Sequence, residues 1–218
     1  MIEDKIQRIF AGYPDTLYGF TGISYSPYAD KNKSALVFAV PYGGQLTIKN
    51  YTEEKFEKGI QDARRVLEEI LARIEEALSD EEVPYYVPPV AQSSEEELVA
   101  PFSFKYAAVQ AGLGWIGKND VVITEKYGPR VRLSAVLMDH VFPYGSAITE
   151  SRCPDQCDKC VKICPYHALR NVRWDINKLR NEIIDYQLCN QKRSLSIEKL
   201  GRKNACGLCL AVCPFGIE

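Results

Sequence analysis

All eight cysteines of this chain lie in two C-terminal stretches, at spacings that suit iron–sulfur chemistry. The first is Cys153-x3-Cys157-x2-Cys160-x3-Cys164-Pro165; the second is Cys189, a gap of sixteen residues, then Cys206-x2-Cys209-x3-Cys213-Pro214. Soft thiolates, four to a site, are the usual ligands of 4Fe–4S clusters. In bacterial two-cluster ferredoxins three cysteines of one stretch hold one cluster, and the fourth, followed by proline, ligates the other. Applied here, that crossing predicts one site from Cys153, Cys157, Cys160 and Cys213, and a second from Cys164, Cys189, Cys206 and Cys209. Two departures from the simple spacing stand out. Three residues rather than two separate Cys153 from Cys157, a small loop adjustment. The gap after Cys189 implies an inserted helix or loop, which Ser194–Gly201 can supply.

Zinc is the alternative occupant, since four-cysteine zinc sites also use C-x2-C pairs. The two Cys-Pro steps and the full count of eight favour iron–sulfur. A redox-sensing C-x2-C would leave six cysteines unexplained. Lys159, Lys162, Lys192, Arg193, Lys199, Arg202 and Lys203 crowd the same region. They read either as a solvated face or as a docking patch for an acidic, low-potential electron donor such as flavodoxin or ferredoxin.

The rest of the chain must position these thiols. The formal charge of −2 does not call for a nucleic acid partner, and no apolar run reaches membrane-spanning length. The N-terminus lacks the apolar core of an export signal, so a cytoplasmic, thiol-reducing setting is expected, and four disulfides are not. The chain is expected to divide into an α/β domain over residues 1–150 and a ferredoxin-like domain over residues 151–218, an α+β fold overall.

Within the first part, Leu17–Ser24 reads as a strand, and Ser34–Val40 as a strand buried on both faces. A long helix should start at Thr52 as N-cap, with Phe56, Ile60, Ala63, Leu67, Ile70, Leu71, Ile74 and Leu78 on one face. Val83–Pro89 reads as extended. Ser94-x-x-Glu97 is a candidate capping box. Phe104–Ala111 reads as a helix stopped by Gly112. Val121–Thr124 and Val131–Met138 read as strands around a turn at Tyr127–Arg130.

The second informative stretch is Ala111-Gly-Leu-Gly-Trp-Ile-Gly-Lys-Asn119. Its three glycines permit tight turning or close backbone approach. Because it follows a helix rather than a strand, it does not meet the context of a dinucleotide-binding loop. A tight connection packed by Trp115 is the plain reading.

Together, Ala111–Asn119, Tyr127-Gly-Pro-Arg130, Val131–Asp139 and the two cysteine stretches resemble the epoxyqueuosine reductase family, itself related to the corrinoid reductive dehalogenases. The resemblance implies a cobalamin-binding domain joined to a two-cluster ferredoxin module, in which a cluster reduces the cobalt. It also implies that Gly112, Leu113, Gly114, Trp115, Ile116, Gly117, Lys118 and Asn119, with Tyr127 and Arg130, approach the cofactor. The reaction class it implies is the reduction of a small organic substrate. Epoxyqueuosine reduction on tRNA and a non-enzymatic electron carrier are the alternatives, and flavin is the alternative cofactor.

Two departures from the family pattern bear on activity. Aligning on Pro101 and Gly112 puts Leu98 where the family carries a proposed proton-donating aspartate, beside Glu95, Glu96 and Glu97. The family's tRNA enzymes also continue into helical repeats, whereas this sequence ends five residues after Cys213, so tRNA is not expected as a partner. Tyr85, Tyr86 and Tyr106 are candidate phenolic donors. His140 and His167, the only histidines, are weak candidates for an axial ligand.

Overall fold

The computed structural model describes residues 1–44, 46–89, 98, 100–195 and 205–217. Ser94–Glu97, residues 196–201 of the expected insertion, Lys199, Arg202 and Lys203 lie outside the described residues. The chain forms two compact units. One comprises residues 1–41, 63–113 and 132–148; the other comprises residues 42–62, 114–131 and 149–218. The unit that holds the cysteines therefore also includes two earlier segments that a single cut near residue 150 would assign elsewhere.

The first unit is built on a four-stranded sheet of order β1–β2–β6–β3, from β1 (Leu17–Gly22), β2 (Ser34–Pro41), β3 (Tyr85–Tyr86) and β6 (Val131–Met138). β1 and β2 are antiparallel, with Leu17 opposite Ala39, and β3 is antiparallel to β6, with Tyr85 opposite Met138. Residues Ser34–Val40 of β2 are all buried, as expected of a strand covered on both faces. Helix α1 (Ile2–Ala11) buries Ile2, Ile6 and Phe10, and the Phe10 ring stacks on Tyr18 at 4.0 Å.

Helix α2 runs from Glu53 to Asp80. Thr52 caps it, its hydroxyl accepting from the Lys55 amide at 3.2 Å. Phe56, Ala63, Leu67, Ile70, Ile74 and Leu78 are buried; Ile60 and Leu71, at the edge of the stripe, are half-buried. Each fully buried aliphatic side chain stabilises the fold by about 1.5–3 kcal/mol. Helix α3 (Phe104–Gln110) starts at Ser103, whose hydroxyl accepts from the Tyr106 amide, and packs on β1 and β2. Gly112 follows with φ +76°, the left-handed geometry that ends many helices.

The second unit carries the hairpin β4 (Trp115–Ile116) and β5 (Val122–Ile123), with Trp115 opposite Ile123. Short helices supply the cysteines: α4 (Lys159–Ile163), α5 (Arg180–Ile183), α6 (Tyr186–Ser194) and α7 (Leu208–Ala211). Asp185 caps α6, accepting from the Leu188 amide at 2.8 Å. Helices α4 and α7, one from each cysteine stretch, pack against each other.

Candidate iron–sulfur centre

Each cysteine stretch wraps into one turn of helix and then breaks at Cys-Pro, which turns its last thiol away from its neighbours. Cys153, Cys157, Cys160 and Cys213 line one small cavity, with Lys118, Asn119, Ile123, Lys159, Pro214 and Phe215. Cys164, Cys189 and Cys209 pack in a second, apolar cluster with Ala168, Leu169 and Ile184, and Cys160 touches this cluster as well. Cys206 lies with that group: Cys206 and Cys164 both act on Cys189, while Cys209 feels Cys206 and also Cys160, Cys189 and Cys164. Cys206 and Gly207 both have positive φ, 54° and 45°. The glycine is needed there, because an added Cβ would run into the Phe56 ring. Among the described residues no group of three His, Cys, Asp or Glu side chains is gathered as a single-ion site.

Four of the eight thiols, Cys160, Cys189, Cys209 and Cys213, are held protonated in the metal-free fold. Burial pushes Cys160 up to about 12, reinforced by Cys153, Cys213 and Cys157. Burial also pushes Cys213 up to about 11, opposed by the Phe215 backbone and by Arg130. Cys209 and Cys189 are raised for the same first reason. Only the thiolate binds metal, so loading must release protons from a site that disfavours bare anions. An iron cluster supplies the missing positive charge, and a donor set made wholly of cysteine thiols fits such a group.

The glycine-rich loop is built into this centre. An added Cβ on Gly114 would collide with the Ile123 carbonyl, and one on Gly117 with the Ile123 side chain. Trp115 is fully buried and meets Phe215 edge-on at 5.1 Å, with Arg152 over its ring. Lys118 Nζ donates to the carbonyls of Asp155 (2.8 Å) and Cys157 (3.0 Å). Asn119 Nδ2 donates to the Cys209 carbonyl at 3.2 Å. Arg130 donates to the carbonyls of Leu46 (2.5 Å), Phe215 (2.7 Å) and Cys213 (2.6 Å). Thus Trp115, Lys118, Asn119 and Arg130 are committed to the cysteine stretches. Ile116 is buried, while Leu113 and Tyr127 are half-buried; Gly112 closes on the Ser146 carbonyl, 2.6 Å from where its Cβ would sit.

Residues 42–62 contribute contacts that spacing does not reveal. Tyr51 donates its hydroxyl to the Cys206 carbonyl at 2.7 Å, and Glu53 accepts from the Ala205 amide at 3.2 Å. Beside them Tyr42, Gly43, Gly44, Leu46 and Phe56 line an open cleft of about 390 Å³, at the lower end for a small-molecule site. A Cβ added at Gly43 or Gly44 would meet no atom within 4 Å.

The other candidates are divided between the two units. Tyr85, Tyr86 and Tyr106 belong to the first unit; Tyr106 packs edge-on to Tyr25, and Tyr86 lies against Tyr28. His140 pairs with Glu3 at 2.9 Å. His167 sits at φ +51° in the turn after Cys164, its amide donating to the Cys164 carbonyl. Leu98 also has positive φ, 53°.

Residues 152–216 match the family model described as a 4Fe-4S double cluster binding domain. An epoxyqueuosine reductase of Bacillus anthracis is 27% identical over 198 residues, covering 84% of this chain and 48% of that protein. The chain resembles the epoxyqueuosine reductases. It spans about half or less of the length of the curated relatives it matches. The fold agrees with that of a solved epoxyqueuosine reductase holding a modified tRNA stem loop, with a TM-score of 0.62 and 18% identity over 99% of this chain and 66% of that one. It also agrees with a reductive dehalogenase described in terms of B12-dependent dehalogenation, with a TM-score of 0.65 and 18% identity over 93% of this chain and 30% of that one. Among the described residues no helix is long and apolar enough to cross a membrane.

Proposed function

We propose that the protein is an iron–sulfur reductase of a small organic substrate, with two 4Fe–4S clusters that feed electrons to a cobalamin. The observation that carries this reading is the mixing of the two cysteine stretches: Cys213 lines a cavity with Cys153, Cys157 and Cys160, and Cys164 packs with Cys189 and Cys209, with Cys160 touching both groups. The cobalamin part is supported by likeness to a B12-dependent dehalogenase fold. When bound, cobalamin supplies a strongly reducing, nucleophilic metal centre. The chain's own share is to carry electrons to it, to shape its surroundings and to exclude water. The cleft at Tyr42–Gly44, with bare glycine backbone on one side and the edge-on Tyr42–Phe56 pair in its lining, is the place offered to part of that cofactor. Trp115, Lys118, Asn119 and Arg130 serve cofactor chemistry by holding the cysteine stretches. A basic face that includes Lys159 and Lys192 would receive an acidic flavodoxin or ferredoxin.

Anaerobic purification with iron, sulfide, zinc and cobalt analysis, followed by cobalamin reconstitution, tests this reading. Iron and sulfide in equal amounts with new corrin bands are expected. Clusters without corrin uptake would leave an electron carrier, and a flavin spectrum would replace the corrin. A second reading, action on tRNA, draws on the neighbour solved with a tRNA stem loop, against the expectation from charge. Loss of queuosine from the tRNA of a deletion strain would establish it.

A further inference from the structure

Two buried cations converge on one of the two thiol groups. Lys118 is 3% exposed and Arg130 4% exposed. Every hydrogen bond that either side chain makes among the described residues goes to a backbone carbonyl. Two of those carbonyls belong to Cys157 and Cys213, and Lys118 itself lines the cavity with all four thiols. The Asp158 carboxylate feels Lys118 but is bonded to Lys162 at 2.8 Å, and a buried cation whose own hydrogen bonds all go to carbonyls is costly unless an anion is near. A 4Fe–4S cluster with four thiolates is such an anion, and it becomes more negative on reduction.

The second thiol group has different surroundings. Ala168, Leu169 and Ile184 pack on it, with Tyr166, Tyr186 and Leu188 at the edge. The arginines acting on Cys189 are Arg193 and Arg180. Both reach solvent, and Arg180 is paired with Asp120 at 2.9 Å. Solvent and counter-charge weaken them.

We propose that Lys118 and Arg130 are positioning residues that also set the potential of the cluster on Cys153, Cys157, Cys160 and Cys213, making it the more easily reduced of the two. This rests on the iron–sulfur reading above. Buried charge favours the one-electron-reduced cluster, and net charge and hydrogen bonding are established controls of cluster potential. At an effective dielectric of about 20, a unit charge roughly 10 Å away shifts such an equilibrium by about tenfold, and a nearer one by more. The same two side chains fix the carbonyls on either side of the cluster, so charge and geometry come from one device.

The test is an anaerobic dithionite titration read by electron paramagnetic resonance, after iron and sulfide have been counted. Two one-electron waves are expected in the unaltered protein, and Cys153→Ser should move the higher one. Lys118→Gln and Arg130→Gln keep a donor at the carbonyls and remove the charge. Each should lower the reduced fraction of the higher wave roughly tenfold at fixed potential, about 59 mV for a one-electron couple. The other wave should stay in place. Lys118→Arg and Arg130→Lys should restore the unaltered value. Full iron with unmoved waves, or equal shifts in both, overturns the proposal. If a glutamine variant fails to hold iron, the wave order in the unaltered protein decides. A higher wave that responds to Cys153→Ser supports the proposal, and one that does not overturns it. Protein with zinc or no iron overturns the functional reading and this inference with it; full iron with the wrong wave order overturns this inference alone.

Discussion

Gly114→Ala isolates what the glycine-rich loop does. An alanine Cβ there would overlap the Ile123 carbonyl oxygen and lie 2.9 Å from its carbon and 3.2 Å from Val122 Cγ1. Favourable carbon contacts begin at about 3.5 Å. The obstacle is backbone in the β4–β5 hairpin, so it cannot rotate away as a side chain would. Relief requires the two strands to separate, which also displaces Trp115 and the Lys118 and Asn119 bonds to the cysteine stretches. Overpacking of this kind costs about 1–3 kcal/mol, sometimes more. For a chain of this size, a 3 kcal/mol loss lowers Tm by about 6–12 °C. Gly43→Ala is the control, since nothing lies within 4 Å of its added Cβ. Thermal unfolding and iron content of the anaerobically prepared variants provide the assay. Gly114→Ala is expected to lose several degrees and part of its iron, and Gly43→Ala neither. Equal Tm and full iron in both would refute the argument that this glycine is required by close approach to the hairpin.

Other outcomes follow from the same geometry. Cys160→Ser should reduce bound iron by about half, four of eight atoms, measurable by colorimetric iron assay. Tyr51→Phe removes the hydroxyl bonded to the Cys206 carbonyl and should cost about 0.5–1.5 kcal/mol, seen as faster iron release to a chelator from the Cys206 site. Burial raises Cys160 and Cys213 from 9.0 to about 12 and about 11 in the metal-free fold. Their contribution to its stability is therefore complete below pH 9 and is lost as pH rises through 11 to 12. The urea midpoint of iron-stripped, reduced protein should fall between pH 8 and pH 10.5 for this reason, and an unchanged or rising midpoint would contradict it.

Much of the fold was legible because its signals are local. Ser34–Val40 is a continuous apolar run and forms a strand covered on both faces. The 3.6-residue stripe from Phe56 to Leu78 forms one helix, with Thr52 as its cap. The placing of Cys213 beside Cys153, Cys157 and Cys160 is the arrangement that the Cys-Pro steps lead one to expect. The role of the loop around Trp115 was less legible. Three glycines announce close approach but not what is approached, and the neighbour of Gly114 is the hairpin partner Ile123. Arg130 and Lys118 bond to carbonyls some forty to eighty residues away. Tyr51 and Phe56 meet the second cysteine stretch across about 150 residues. These contacts leave no periodicity, and they are why residues 42–62 and 114–131 belong with the cysteines. A signal for Arg130 was present in its place after a Gly-Pro turn, but its target is a backbone oxygen, which has no sequence identity.

The central claim is that the two thiol groups each hold an iron–sulfur cube. Mössbauer spectroscopy of iron-57-labelled protein prepared without air tests it most directly. The account predicts that essentially all the iron appears as two 4Fe–4S clusters per chain, with half of the signal lost in Cys160→Ser. Stoichiometric zinc in place of iron, or iron present only as single thiolate-bound ions, would contradict it.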